Sequence, residues 1–101
     1  MKIFHMSQDI NIGYDTYSDC VVIAKNEEEA RHIHPSEFVT HFKDGQWYGT
    51  YSNKEGGEYA TENEFYTWVL FHQIDKIKII EIGTAKAGSK KGVICASFHA
   101  G

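Results

Sequence analysis

The chain has 101 residues, a size typical of one domain, and its apolar (42%) and charged (24%) fractions are those of an ordinary globular protein. No apolar run approaches the roughly 20 residues that a membrane span needs, which excludes a predicted transmembrane helix. Two cysteines do not form a disulfide scaffold. Residues 1–9 are too polar for a signal peptide, so we expect a cytoplasmic protein.

The net charge of −4 lies entirely in the first half of the chain. Residues 1–50 carry eight acidic and four basic residues, whereas residues 51–101 carry six of each. This balance argues against direct binding of nucleic acid, which needs a basic surface. It suits a basic protein partner.

The first quarter of the chain predicts two strands joined by a long turn. Residues 2–7 and 19–24 are apolar and rich in β-forming residues, and the polar stretch 8–18 between them contains Gly13. The uninterrupted apolar run in 19–24 predicts a strand that is buried on both faces.

A short helix is predicted over residues 26–34. Asn26 is a favourable N-cap, and Glu29 follows three residues later, as in a capping box. Pro35 disfavours helical geometry at His34, so the helix is expected to end there. A helix of about two turns is unstable alone in water, so it must pack against a sheet.

The rest of the chain predicts further strands. Asp44-Gly45 between β-prone runs predicts a hairpin within residues 36–52. The apolar stretch 65–71 is either a buried strand or a short helix, because periodicity cannot separate the two. The remaining predicted elements are a polar excursion at 53–64, strands at 74–82 and 92–98, and a flexible basic loop at 83–91. We therefore predict a single α+β domain over residues 1–101, with an antiparallel or mixed sheet of about 5–6 strands and one short helix packed on it.

Residues 83–90 nearly match the phosphate-binding loop pattern. Ser89 precedes Lys90, however, whereas that motif requires lysine before serine or threonine. A predicted strand follows the loop, where the motif needs the N-terminus of a helix. A simple connection between two strands is the better interpretation.

Histidines and cysteines provide weak candidates for a zinc site. His32, His34 and His41 fall within ten residues, and Cys95 adds a sulfur ligand, but the spacing matches no zinc finger. Cys95 lies in an apolar strand, which predicts a reduced core thiol rather than a nucleophile. No cofactor is required by this sequence and no catalytic residue is predicted, so we do not expect an enzyme. A zinc-binding structural domain is an alternative, and an enzyme of unknown type is another.

Aromatic side chains beside acidic ones predict a surface for a protein partner. Tyrosine and tryptophan supply a large contact area at low entropic cost. Trp68 is instead expected in the core. The candidate partner-binding residues are Tyr14, Asp15, Tyr17, Glu27, Glu28, Trp47 and Tyr48.

Several segments resemble a family of small phage and prophage proteins. They are the stretch GYDTY at 13–17, the segment EEEAR at 27–31 followed by His34-Pro35, and the terminal stretch GVICASFHAG at 92–101. The family is expected to carry asparagine in place of His99, and residues 40–65 match it least. The resemblance implies a phage setting.

Small acidic phage proteins without catalytic motifs are often inhibitors of bacterial defence, of which anti-CRISPR proteins are one kind. By this analogy we predict a phage-encoded module that binds a bacterial host protein in the host cytoplasm. A CRISPR effector nuclease is one such target. Stoichiometric binding would prevent this nuclease from loading nucleic acid or from cutting it. Neither direct nucleic-acid binding nor membrane binding is expected.

Overall fold

The computed structural model describes residues 1–50, 58–60 and 66–100. Within these ranges, antiparallel sheets and short helices share one core, which confirms the predicted α+β class. The strands are β1 (Lys2–Ser7), β2 (Thr16–Ala24), β3 (Val39–Lys43), β4 (Gln46–Thr50), β5 (Glu58–Ala60), β6 (Lys78–Thr84) and β7 (Gly92–His99). One sheet has the order β6-β1-β2-β7, and the other has the order β3-β4-β5.

Strands β1 and β2 form the centre of the larger sheet. They pair antiparallel from Lys2 opposite Ala24 to Ser7 opposite Asp19. Their burial alternates along each strand, as expected when one face is covered. The prediction that residues 19–24 are buried on both faces is therefore wrong: Val22 is buried, while Val21 and Ile23 are half-buried on the outer face. An apolar run alone does not reveal whether a second layer covers that face.

Helix α1 (Glu27–Arg31) begins as the sequence predicts. The Asn26 side chain accepts a hydrogen bond from the Glu29 N–H at 2.8 Å, which satisfies one free donor of the first turn. The Glu29 carboxylate accepts from the Lys25 N–H, one residue before the cap. The helix ends at Arg31, three residues earlier than predicted, and the chain then turns so that His34 packs against Trp47.

The hairpin of β3 and β4 has the predicted turn. Asp44 and Gly45 both have positive φ, at 52° and 75°, as a two-residue turn between twisted strands requires. The predicted polar excursion at 53–64 lies outside the described residues except for β5.

Residues 66–70 have neither of the two structures predicted for 65–71. They form an irregular segment that leads into a 3-10 helix (Phe71–Lys76), so the predicted strand at 74–82 begins only at Lys78. Arg31 fixes this helix by donating to the Ile74 and Ile77 carbonyls at 2.6 and 3.2 Å.

The core lies between the larger sheet and the α1, β3–β4 and 66–77 segments. Trp68 is fully buried, as predicted. The Trp47 indole N–H donates to the Val69 carbonyl at 3.0 Å, which joins the hairpin to the irregular segment. Other buried members are Phe4, Met6, Cys20, Val22, Ala24, Ala30, Val39, Val69 and Ile77. In the described part of the chain, no helix is long and apolar enough to cross a membrane.

Candidate functional site

The connection between β1 and β2 is an exposed loop held by several hydrogen bonds. We call residues 8–15 the Gln8 loop, because the Gln8 side chain is buried beneath it and uses its full hydrogen-bonding capacity there. Its oxygen accepts from the Ile10 and Asn11 N–H groups at 2.9 and 2.8 Å. Its amide nitrogen donates to the Asn11 and Tyr17 carbonyls, both at 2.8 Å. The loop is thus closed around a single side chain.

Asn11 ties the Gln8 loop to a distant part of the chain. Its side-chain nitrogen donates to the Tyr66 and Trp68 carbonyls, both at 2.9 Å. The Tyr17 N–H donates to the Thr67 carbonyl at 2.7 Å, beside these two contacts. The loop is consequently fixed to the irregular segment as well as to itself.

The tip of the Gln8 loop presents two large apolar side chains to solvent. Ile12 is 74% exposed and Tyr14 is 75% exposed. Gly13 between them has a φ of 139°, a conformation that residues with a Cβ rarely adopt. Thr16 closes the tip, where its hydroxyl donates to the Gly13 carbonyl at 2.9 Å.

The end of β7 lies beside this tip. The Asp15 N–H donates to the His99 carbonyl, and the rings of Tyr14 and His99 make an edge contact at 5.7 Å. Tyr17 packs on Phe98 with ring centroids 4.8 Å apart. The structure thus brings together three of the predicted partner-binding residues, Tyr14, Asp15 and Tyr17.

The site is acidic. Residues 3–24 contain three aspartates, at positions 9, 15 and 19, and no lysine or arginine. The Asp19 carboxylate lies 2.9 Å from a His5 ring nitrogen on the outer face of the sheet. The hydrogen bond from His5, helped by one from Ser18, lowers the pKa of Asp19 below its usual value. Asp19 therefore carries its negative charge at neutral pH.

The other predicted partner-binding residues lie elsewhere. Glu27 and Glu28 are exposed on α1, beyond the opposite end of β2. The nine residues of β2 span about 26 Å at the usual rise of a strand. The predicted partner-binding residues Tyr14, Asp15 and Tyr17 therefore lie on a different surface from Glu27 and Glu28.

The hairpin aromatics also separate from the loop. Trp47 is only 2% exposed, so its side chain belongs to the core and we do not retain it as a surface candidate. Tyr48 is half-buried, with its ring stacked on His41 and the Lys43 ammonium 4.9 Å from the ring centre.

Three predicted zinc ligands line one cleft. His32, His34 and His41 border a cleft of about 590 Å³, which lies between the segment that follows α1, the β3–β4 hairpin and the start of β7. Among the residues that the structure describes, no three histidine, cysteine, aspartate or glutamate side chains come together as a metal would need. The zinc hypothesis stays a prediction.

His34 has a structural role in that cleft. Its Nδ1 accepts a hydrogen bond from the Ser36 N–H at 3.0 Å, and its ring packs edge-on against Trp47. Burial lowers the pKa of His34 to about 3, so the ring is neutral at physiological pH. Its Nε2 therefore carries the proton.

The two cysteines have opposite environments. Cys20 is buried, and its burial, with a smaller effect of the Asp19 charge, raises the pKa of its thiol to about 12. Cys95 is exposed, contrary to the expectation of a core thiol. The reason is that β7 is an edge strand of the larger sheet among the described residues, with seven of its eight residues exposed, which its apolar sequence does not reveal.

Sequence reasoning missed the residues that shape the loop. Gln8 sits in a polar stretch, and no local signal distinguishes a buried glutamine there from an exposed one. Ile12 did carry a signal, since it is an isolated large apolar residue within a polar turn. Comparison of the chain with protein-family models, with curated proteins and with solved structures gives no match.

Proposed function

We propose that the protein is a protein-binding module that docks on its partner through the Gln8 loop. The observation that supports this proposal is the exposure of Ile12 and Tyr14 on a loop whose shape is already fixed. A loop that is ordered before binding pays little of the entropy that ordering would otherwise cost. Aromatic and apolar side chains that become buried at the centre of an interface contribute most of its binding energy.

The acidic surroundings favour a basic partner. The three aspartates around the loop attract a positively charged surface and accelerate the encounter with it. Because the chain resembles phage proteins, the class of target that we propose is a bacterial defence protein. CRISPR effector nucleases hold guide and target nucleic acid in a positively charged channel, which fits this charge. The module acts by occupying that surface stoichiometrically, without catalysis, in the cytoplasm of the host.

The test is a differential capture experiment with three baits. The first is the wild-type protein, the second carries Ile12→Ser and Tyr14→Ala, and the third carries Ile82→Ser. Ile82 is a matched control because it is also a large, exposed apolar residue (56%), located in β6 on the far edge of the larger sheet. Lysate from a bacterium with defence systems is passed over each bait, and the retained proteins are quantified by mass spectrometry.

The expected result is a stoichiometric defence protein retained by the wild type and the Ile82 variant but lost from the loop variant. With the purified target, the loop variant should bind at least about 30-fold more weakly, the effect of removing one interface hot spot. Asp15→Asn should lower the association rate and its dependence on salt. Retention that survives the loop substitutions and is lost with Ile82→Ser would move the site to the β6 edge of the larger sheet.

A further inference from the structure

The two edges of the larger sheet are built differently. The β6 edge carries Lys78 and Glu81, and Glu81 pairs with Lys2 at 3.1 Å. The β7 edge has no charged residue and no proline over its eight residues, and seven of them are exposed. Soluble proteins usually protect a long edge strand with charges, proline or a covering segment, because its free backbone groups pair readily with another strand.

Hydrogen bonds on β2 reveal which backbone groups of β7 face outward. The carbonyl of His99 accepts from the Asp15 N–H, so His99 directs its backbone groups toward β2. Tyr17, the partner of Phe98 in the register, directs its N–H away from β7, to the Thr67 carbonyl. Because backbone direction alternates along an antiparallel strand, Phe98 and Ala96 point their N–H and C=O groups outward.

The regular part of the open edge is Cys95–His99. A bulge precedes it, since Val21 faces Cys95 and Val22 faces Val93, which leaves Ile94 as the extra residue. Beyond the bulge, the outward-facing residues are a small one, Ala96, and a large one, Phe98, which is 46% exposed. When a second β7 strand pairs antiparallel with this edge, its Ala96 lies opposite Phe98 of the first strand. A small side chain then faces a large one.

Charge also favours an antiparallel arrangement of two β7 strands over a parallel one. Lys90 and Lys91 precede the strand. Antiparallel pairing about Ser97 keeps the lysines of the two copies at opposite ends of the joined edge, whereas parallel pairing would bring these like charges together.

We propose that two copies of this chain pair through β7, antiparallel about a two-fold axis, and so join their larger sheets into one. Two-fold symmetry restricts the register. Residues that lie opposite each other in an antiparallel pair either both point their N–H and C=O groups toward the other strand or both point them away. Because this direction alternates along β7, the axis must lie where one residue faces its own copy, and not between two consecutive residues. An axis at Ser97 keeps all paired residues within the regular stretch. It gives two Ala96–Phe98 pairs and sets the two Ser97 side chains face to face.

The first experiment is sedimentation velocity of the full chain from micromolar to near-millimolar concentration. The wild type should show a monomer–dimer equilibrium. Ser97→Lys should remain a monomer throughout, because it places two ammonium groups at the axis, and the monomer tolerates it since residue 97 lies opposite Asp19. Ile82→Lys, on the β6 edge, is the control and should dimerise like the wild type. A wild type that is monomeric at every concentration, or a Ser97→Lys dimer, overturns the proposal.

Oxidative cross-linking tests the register. A Cys95→Ser and Ser97→Cys double variant should form a covalent dimer on mild oxidation, because opposite residues in such a pair lie within disulfide range. The wild type should not cross-link, since its Cys95 faces position 99 of the other copy and Cys20 is buried. Cross-linking of the wild type, with none of the double variant, overturns the Ser97 axis. This result is independent of the capture experiment, in which the loop variant retains β7 unchanged.

Discussion

The Gln8 loop and the Asp44–Gly45 turn both join antiparallel strands, but they are held by different means. The turn takes its shape from two backbone conformations within two residues. The loop takes its shape from two side-chain amides: buried Gln8 binds backbone groups within residues 10–17, and Asn11 donates to the distant Tyr66 and Trp68 carbonyls. A short turn is therefore a local property, whereas the candidate binding loop exists only in the folded domain. Three predictions test this difference.

The largest effect is expected from Gln8→Leu. An apolar side chain of similar size leaves the Ile10 and Asn11 N–H groups and two carbonyls without their partners. Buried polar groups without partners cost about 1–3 kcal/mol each, and water that enters the loop recovers part of that cost. We expect a loss of about 2–4 kcal/mol in the free energy of unfolding, measured by urea denaturation.

The matched control for that variant is Gln46→Leu. Gln46 is exposed beside the hairpin turn, and its substitution should change the free energy of unfolding by less than about 0.5 kcal/mol. Equal effects of the two variants would contradict the role assigned to Gln8.

The second prediction concerns pH and the hairpin side of the molecule. Burial holds the pKa of His34 at about 3 in the folded state, against about 6.5 in the unfolded chain. The unfolded chain therefore binds more protons between these values, so stability is complete above pH 6.5 and falls as the pH decreases. The slope is at most about 1.4 kcal/mol per pH unit from this group.

Urea denaturation from pH 7 to pH 5 measures this slope. In the His34→Asn variant the side-chain oxygen replaces Nδ1 as the acceptor for the Ser36 N–H without adding a titrating group. The variant should lose most of the slope. The same slope in both proteins would assign the pH dependence to other groups.

The smallest effect is expected from Gly45→Ala. The positive φ of Gly45 is costly for any residue with a Cβ, although the added methyl group meets no atom within 4 Å. The expected loss is about 1 kcal/mol, entirely from the backbone. Gly83→Ala is the control, because Gly83 lies in β6 without positive φ and its added Cβ would make an ordinary 3.8 Å contact with Ile3. The midpoints of thermal unfolding of both variants show whether the backbone conformation or the available space determines the effect of a Cβ at residue 45.

The same difference explains what the sequence could predict. The Asn26 cap and the Asp44–Gly45 turn depend on a few adjacent residues, so both were predicted correctly. The exposure of Cys95 in β7, and that of the outer face of β2, depend on which layers the rest of the chain supplies. A local apolar pattern contains no such information, and both were predicted wrongly as buried.

The candidate site divides in the same way. Tyr14, Asp15 and Tyr17 were predicted because aromatic and acidic residues in a polar turn have few core functions. Glu27 and Glu28 were grouped with them because they are near in sequence, but the length of β2 separates them in space. Asn11 could not be predicted, because its partners at 66 and 68 lie more than fifty residues away. Gln8 could not be predicted either, because its partners are backbone groups of a polar stretch that carries no signal of burial.

In the Gln8 loop, different residues fix the backbone and form the exposed tip, and this separation has a consequence for the evolution of the loop. The residues that fix the loop are the amides of Gln8 and Asn11, whereas Ile12 and Tyr14 at its tip are about three-quarters exposed. Substitutions at positions 12 and 14 can therefore accumulate without a folding penalty, while the backbone that displays them stays the same. In the docking role proposed above, such a loop would let a lineage change its target faster than it changes its structure.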